Sequence, residues 1–185
     1  MEITLMRHGQ PLLVSATPIT AARMGEWIDN YNLSRIKVEN VPSSNVRIAN
    51  SASIIVTSTS LRAISSVEAL GQQQPSIEEA LFCEAQLPYA RWGLLRLPPS
   101  AWAGFFRVLW FLGYSSECEA LGAARARAKT AANCLASLAV KGPVLLVGHG
   151  IMNRLIAREL LSMGWSGPSG PSSAYWGCSV YRSIT

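Results

Sequence analysis

The chain has 185 residues, with 16 Lys and Arg, 11 Asp and Glu, and a formal net charge of +5. Apolar residues make up 49% and charged residues only 15%. This excludes intrinsic disorder, which needs low hydrophobicity and high charge, and the length suits one domain with a full core.

The first element is a buried strand at Ile3–Met6, an apolar run that ends in the punctuation Arg7-His8-Gly9-Gln10-Pro11. No basic segment followed by a long apolar run opens the chain, so no signal peptide is expected. A helix is predicted over Thr20–Tyr31, capped by Thr20, with Met24, Trp27, Ile28 and Tyr31 on one face. Ser53–Thr57 reads as a second buried strand. It runs into the capping cluster Ser58-Thr59-Ser60 and a helix from Leu61 to Leu70 closed by Gly71. Ser76–Cys83 is ambiguous, and the Pro-bearing stretch 84–99 reads as irregular. An apolar helix over Ser100–Leu112 follows, too short to span a bilayer, so no transmembrane segment is expected. A long Ala-rich helix is predicted over Glu117–Val140, stopped by Gly142-Pro143. Val144–Val147 is the third buried strand, followed by Gly148-His149-Gly150, a helix over Ile151–Met163, a loop over 164–173 and a closing strand over Tyr175–Tyr181. The alternation of strand and helix argues for an α/β fold with a largely parallel sheet.

Single residue types exclude more. Asp29 is the one aspartate, which disfavours phosphate chemistry on paired aspartates and Mg²⁺. Cys83, Cys118, Cys134 and Cys178 form no Cys-x-x-Cys, and two histidines cannot complete a zinc cage with them at usual spacings. No cysteine has an Arg six residues on, as a cysteine-dependent phosphatase loop requires. Scattered cysteines suit a reducing cytosol, and a cytoplasmic location is expected. Arg outnumbers Lys 13 to three, and Arg matches phosphate oxygens bidentately. The densest basic run, Arg125-Ala126-Arg127-Ala128-Lys129, reads as a solvated helix face. With no continuous basic patch and no known module, nucleic acid is not an expected partner.

Three strands end in polar, special residues: Arg7-His8-Gly9, Ser58 through Arg62, and Gly148-His149-Gly150. Ligands of open α/β sheets bind outside the carboxyl ends of strands, so both histidines and two arginines converge on one rim. The helix start after His149 favours an anion there. Gly148-x-Gly150 is a poor dinucleotide fingerprint, because Asn153 stands at its third Gly position. Two His, two Arg and no aspartate-based metal site suggest covalent phosphoryl transfer through histidine, with the arginines neutralising the transferring group. The leaving oxygen needs a proton, and Glu84, in a loop beside Cys83, is a candidate donor.

Leu5-Met6-Arg7-His8-Gly9, Thr57-Ser58-Thr59-Ser60-Leu61-Arg62-Ala63 and Val147-Gly148-His149-Gly150 together resemble the blocks of the histidine phosphatase superfamily, the branch with phosphoglycerate mutase and many small bacterial phosphatases. The resemblance spans residues 3–160. It implies a phosphoglycerate mutase-like three-layer α/β/α sandwich with a mostly parallel central sheet, as a single domain over 1–185 with a variable lid at about 85–114. It casts His8 as the nucleophile that becomes phosphohistidine, Arg7 and Arg62 as phosphate clamps, and His149 as a donor to a phosphoryl oxygen. Glu84 becomes the acid that protonates the leaving oxygen and then the base that activates water. Gln10, Gly150 and Arg91 are candidate substrate contacts. Neither a metal nor a cofactor is implied. The chain departs from the pattern at Pro11, at Val14 where an Asn is usual, and after Glu84, where a Gly-rich continuation is missing.

The function implied is a metal-independent phosphatase acting on a small phosphorylated substrate, a phosphomonoester or phosphoamidate. The alternatives are a phosphomutase, usually a longer chain, or a non-catalytic phosphate-binding module. The Trp-rich part of the lid, with Trp92, Trp102 and Trp110, reads either as a lid or homodimer surface or as core packing.

Overall fold

The computed structural model describes residues 1–13 and 16–183. Val14 lies outside them. In chain order the elements are β1 (Glu2–Arg7), β2 (Ile19–Thr20), α1 (Met24–Asn32), α2 (Ser43–Ser51), β3 (Ile54–Thr57), α3 (Leu61–Ala69), β4 (Ile77–Glu78), β5 (Arg96–Leu97), α4 (Pro99–Phe111), α5 (Leu121–Ala139), β6 (Val144–Gly148), α6 (Gly150–Ser162) and β7 (Cys178–Arg182). The main sheet has the order β4-β3-β6-β1-β7. All its pairings are parallel except that of β7 with β1.

The strands are apolar on both faces because helices cover both. Ile3, Leu5, Val56, Val144 and Leu146 pack with residues of α5 and α6. The alternate residues Met6, Ile55, Leu145 and Val147 pack with α2 and α3. This period-two division is what a three-layer α/β/α sandwich requires of a parallel sheet. On the α5 side, Ala124, Ala128, Ala131 and Ala132 are fully buried, so the Ala-rich helix lies close against α6. A third cluster stands apart: Ala21, Met24, Ala90, Trp102 and Phe106 join α1 to α4. Beside it, β2 and β5 form a two-stranded antiparallel ribbon.

Several boundaries differ from the sequence expectation. Thr20 belongs to β2 rather than capping a helix, a 3₁₀ turn at Ala21–Arg23 follows, and α1 begins at Met24. Its pairing with Arg96 and the Trp102 indole N–H donated to the Ile19 carbonyl at 2.8 Å hold that strand. The long helix starts at Leu121, because Glu117 takes a left-handed φ of 62°. Trp176 does the same, so the closing strand starts at Cys178 rather than Tyr175. The ambiguous stretch resolves into β4 and a 3₁₀ turn at Ala80–Phe82. Helix α2 was not anticipated. Its buried Asn45 donates to the Trp176 carbonyl at 2.6 Å and so anchors the segment before β7. Trp102 and Trp110 are core residues, whereas Trp92 is exposed. Among the described residues no helix is long and apolar enough to cross a membrane.

Candidate active site

The register of two parallel strands brings the histidines together. Arg7 pairs with Gly148, and the His8 backbone N–H donates to the Gly148 carbonyl at 3.0 Å. The next residue after each strand is therefore a histidine, and the two ring centroids lie 5.1 Å apart. Beyond Thr57 of β3, which pairs with Val147, Ser58 reaches the same rim. Its Oγ is 2.7 Å from His149 Nε2 and also accepts the Ser60 N–H at 3.4 Å.

His8 is 2% exposed. Its Nδ1 lies 2.7 Å from the Gly9 carbonyl, which can only accept, so the proton sits on Nδ1 and Nε2 keeps its lone pair. Burial, chiefly, and the guanidinium charges of Arg62 and Arg7 lower its pKa to about 3, against the raising effect of the Gly9 carbonyl. His149 is fully buried and held well below the ordinary range by burial first, then by His8 and the arginines.

Arg62, at the start of α3, is 3% exposed. It donates to the Tyr31 carbonyl and to Asn32 Oδ1, each at 3.3 Å, and its guanidinium lies 4.8 Å from the Tyr31 ring centroid. Arg7 donates to the Ser173 carbonyl and stacks on Tyr175 at 4.3 Å. The Nε atoms of Arg7 and Arg62 and Nδ1 of His149 are buried without a partner. Three polar nitrogens orphaned at one rim are costly unless a ligand meets them.

Glu84 is placed at the N-terminus of α6. Its Oε2 accepts the Ile151 N–H at 3.1 Å, and its Oε1 accepts those of Met152 at 2.8 Å and Ala85 at 2.9 Å. Gly150 sits between Glu84 and Arg7. A Cβ there would stand 3.7 Å from the Arg7 guanidinium carbon and 3.8 Å from Glu84 Oε2. The carboxyl group, Arg7 and the His149 turn thus share one corner.

The loop carrying Glu84 is itself clamped by two arginines. Arg127 of α5 donates to the carbonyls of Leu81 at 3.0 Å, Cys83 at 2.8 Å and Glu84 at 3.4 Å, and pairs with Glu119. Arg107 of α4 donates to those of Ala85 at 2.8 Å and Gln86 at 3.2 Å. Arg127 corrects the expectation of a solvated face over 125–129. It lies on the helix face of Ala124, Ala128 and Ala131, and that spacing was the signal for it.

Tyr31 and Tyr175 were also missed as site residues. The Tyr175 ring stands 5.8 Å from that of His8, and burial together with the neighbouring Tyr175 pushes the Tyr31 hydroxyl up to about 12. Gln10 is exposed and lines a pocket of about 210 Å³ with Lys37, Glu39, Asn40, Tyr175 and Trp176. A larger groove of about 760 Å³ runs past Leu12, Ile19, Trp27 and Leu33. Neither cavity is lined by a histidine. Arg91 is placed elsewhere, at the surface, where its guanidinium pairs with Glu117 at 2.8 Å. Two glycines serve packing instead of ligand approach. A Cβ on Gly9 would meet Trp176 at 2.6 Å, and one on Gly148 would meet Asn153 Oδ1 at 2.4 Å.

The family model of the histidine phosphatase superfamily (branch 1) matches residues 3–181. The chain belongs to the histidine phosphatase superfamily. Phosphatase- or mutase-type chemistry on a small phosphorylated substrate is the activity of such a domain. A search of curated proteins gives no match. Among solved structures, the chain is similar to YhfR of Bacillus stearothermophilus, at 18% identity and a TM-score of 0.62, covering 99% of this chain and 95% of that one. It is also similar to the product of open reading frame Rv3214 of Mycobacterium tuberculosis, at 14% identity and a TM-score of 0.61, covering 97% and 89%. A mycobacterial glucosyl-3-phosphoglycerate phosphatase matches at 17% identity and a TM-score of 0.53, over 87% and 79%. At these identities the likeness is one of fold.

Proposed function

We propose that the protein is a phosphatase that hydrolyses a phosphomonoester or phosphoamidate through a phosphohistidine on His8. The observation that carries this reading is the His8 ring, with its proton held on Nδ1 by the Gly9 carbonyl, beside two arginines whose buried Nε atoms have no partner. Nε2 of His8 attacks phosphorus in line, and the bond to the leaving oxygen or nitrogen breaks. The guanidiniums of Arg7 and Arg62 supply the positive charge that the equatorial oxygens need, so no metal is called on. His149 adds a third donor. When the Ser58 hydroxyl donates to His149 Nε2, the ring proton sits on Nδ1, which has no protein partner and is free to meet the phosphoryl group.

Glu84 delivers a proton to the leaving atom. It then takes one from a water that attacks the phosphorus and cleaves the P–N bond, releasing phosphate and restoring His8. A phosphatase and a mutase share the first half of this cycle, and transfer to water distinguishes the former. That one structural relative is a glucosyl-3-phosphoglycerate phosphatase supports the choice. Gln10 and Gly150 serve as substrate contacts at the rim. The chain forms a single domain in which the segment at about 85–114, tied to α1 by its own cluster, serves as the lid. Four free cysteines support a reducing, cytoplasmic setting.

The test is hydrolysis of p-nitrophenyl phosphate in EDTA by the wild type and His8→Ala. Turnover in EDTA that vanishes in His8→Ala is the expected result. Turnover that survives the substitution overturns the assignment of the nucleophile.

A further inference from the structure

From Ala85 to Ser116 the chain contains no Asp or Glu and three Arg: Arg91, Arg96 and Arg107. Packing accounts for one side of this excursion, since Trp102 and Phe106 join the α1 cluster and Trp110 joins the main core. The other side is uncovered. Phe105, Val108, Phe111 and Leu112 are exposed at helical spacing along α4. The turn before β5 presents Leu94, 94% exposed, and Trp92, 74% exposed, together with Leu95. So many large apolar side chains left exposed within one short stretch of the chain mark a contact.

Charge decides between occupants. Arg107 is directed inward to the Ala85 and Gln86 carbonyls. Arg91 pairs with Glu117 at the edge, and Arg96 has no carboxylate partner among the described residues. A second copy would set this surface against itself, and its one bordering carboxylate, Glu117, is already taken by Arg91, which leaves Arg96 without a counter-charge. An anionic bilayer supplies both needs: an acyl boundary for Trp, Leu and Phe, and headgroup charge for Arg. The 13 residues of α4 are too few to span that bilayer, so the contact is interfacial.

We infer that the Arg91–Arg96 turn and the outer face of α4 dock this protein on the surface of an anionic lipid bilayer. The inference stands on this surface alone and is independent of the reaction proposed above. The test is co-sedimentation of the full chain with phosphatidylcholine vesicles made with and without phosphatidylserine. Binding that requires phosphatidylserine and weakens with salt is expected. Arg96→Glu should weaken it by about fivefold or more. Either Leu94→Glu with Leu95→Glu, or Phe105→Glu with Val108→Glu, should weaken it at least about tenfold. All these positions are exposed, and near-ultraviolet circular dichroism of each variant checks that the fold is kept. A loss in either apolar pair sustains the inference. Binding unchanged in both pairs, or no binding to phosphatidylserine vesicles, overturns it. So does a concentration-dependent dimer abolished by the same substitutions without vesicle binding, which would assign the face to a second copy.

Discussion

The two imidazoles are neutral because they are buried, and that has a thermodynamic signature. In the unfolded chain each titrates near pH 6.5, whereas His8 in the fold does so at about 3 and His149 also lies well below its ordinary value. As pH falls below 6.5 the unfolded chain therefore binds protons that the native state refuses, and stability is lost on going down toward pH 3. Each histidine adds a slope of up to about 1.4 kcal/mol per pH unit in that window and none above it. Urea unfolding from about pH 7 to about pH 4 should show this loss, and His8→Gln should flatten it. A slope that His8→Gln leaves unchanged would mean that the folded ring accepts a proton readily. At this scale the histidines and Arg62 were legible, because each follows a strand or opens a helix at the sheet's carboxyl rim. Tyr31 and Tyr175 were not, because an aromatic at helical or strand spacing reads equally well as core.

At the scale of elements, the loop bearing Glu84 has little secondary structure to hold it, and Arg127 replaces that with three carbonyl contacts. Arg127 is thus a positioning residue. Arg127→Ala should lower kcat about tenfold on alkyl phosphates and much less on p-nitrophenyl phosphate, whose leaving group needs no proton. Arg127→Lys should recover part of the loss. Equal losses on both substrates would reduce Arg127 to a prop for the fold. The contact of α5 with α6 depends on small side chains, so Ala128→Leu should overpack it and cost about 1–3 kcal/mol in urea unfolding. An unchanged midpoint would show slack between these helices. Helix α2 escaped prediction because Val46, Ile48 and Ala49 are few apolar residues among Ser, Asn and Arg. The β2–β5 ribbon escaped because strands of two residues leave no periodicity to read.

For the molecule as a whole, the α/β class with a largely parallel sheet was readable from three apolar runs alternating with helices, since strands covered on both faces must be apolar throughout, while the three layers followed from the family resemblance. What could not be read was the third cluster, where α4 is committed to α1 on one side and bare on the other. Hydropathy along α4 is high all round and does not say which side meets protein. The basic balance of the chain likewise divides once the structure is known. Arg7 and Arg62 face the histidines, Arg107 and Arg127 hold the Glu84 loop, and Arg96 remains on the surface.

The position of β1 has a consequence in time. Its neighbours are β6 and β7, with Ile3 opposite both Val144 and Tyr181, so the strand that leads into His8 is synthesised long before either strand it pairs with. During translation it waits, apolar on both faces, until β6 emerges. Such distant pairing makes for slow folding and a long-lived unpaired edge. The pairing that joins β1 to β6 is also the one that sets His8 beside His149, so the sheet and the site are completed in one step.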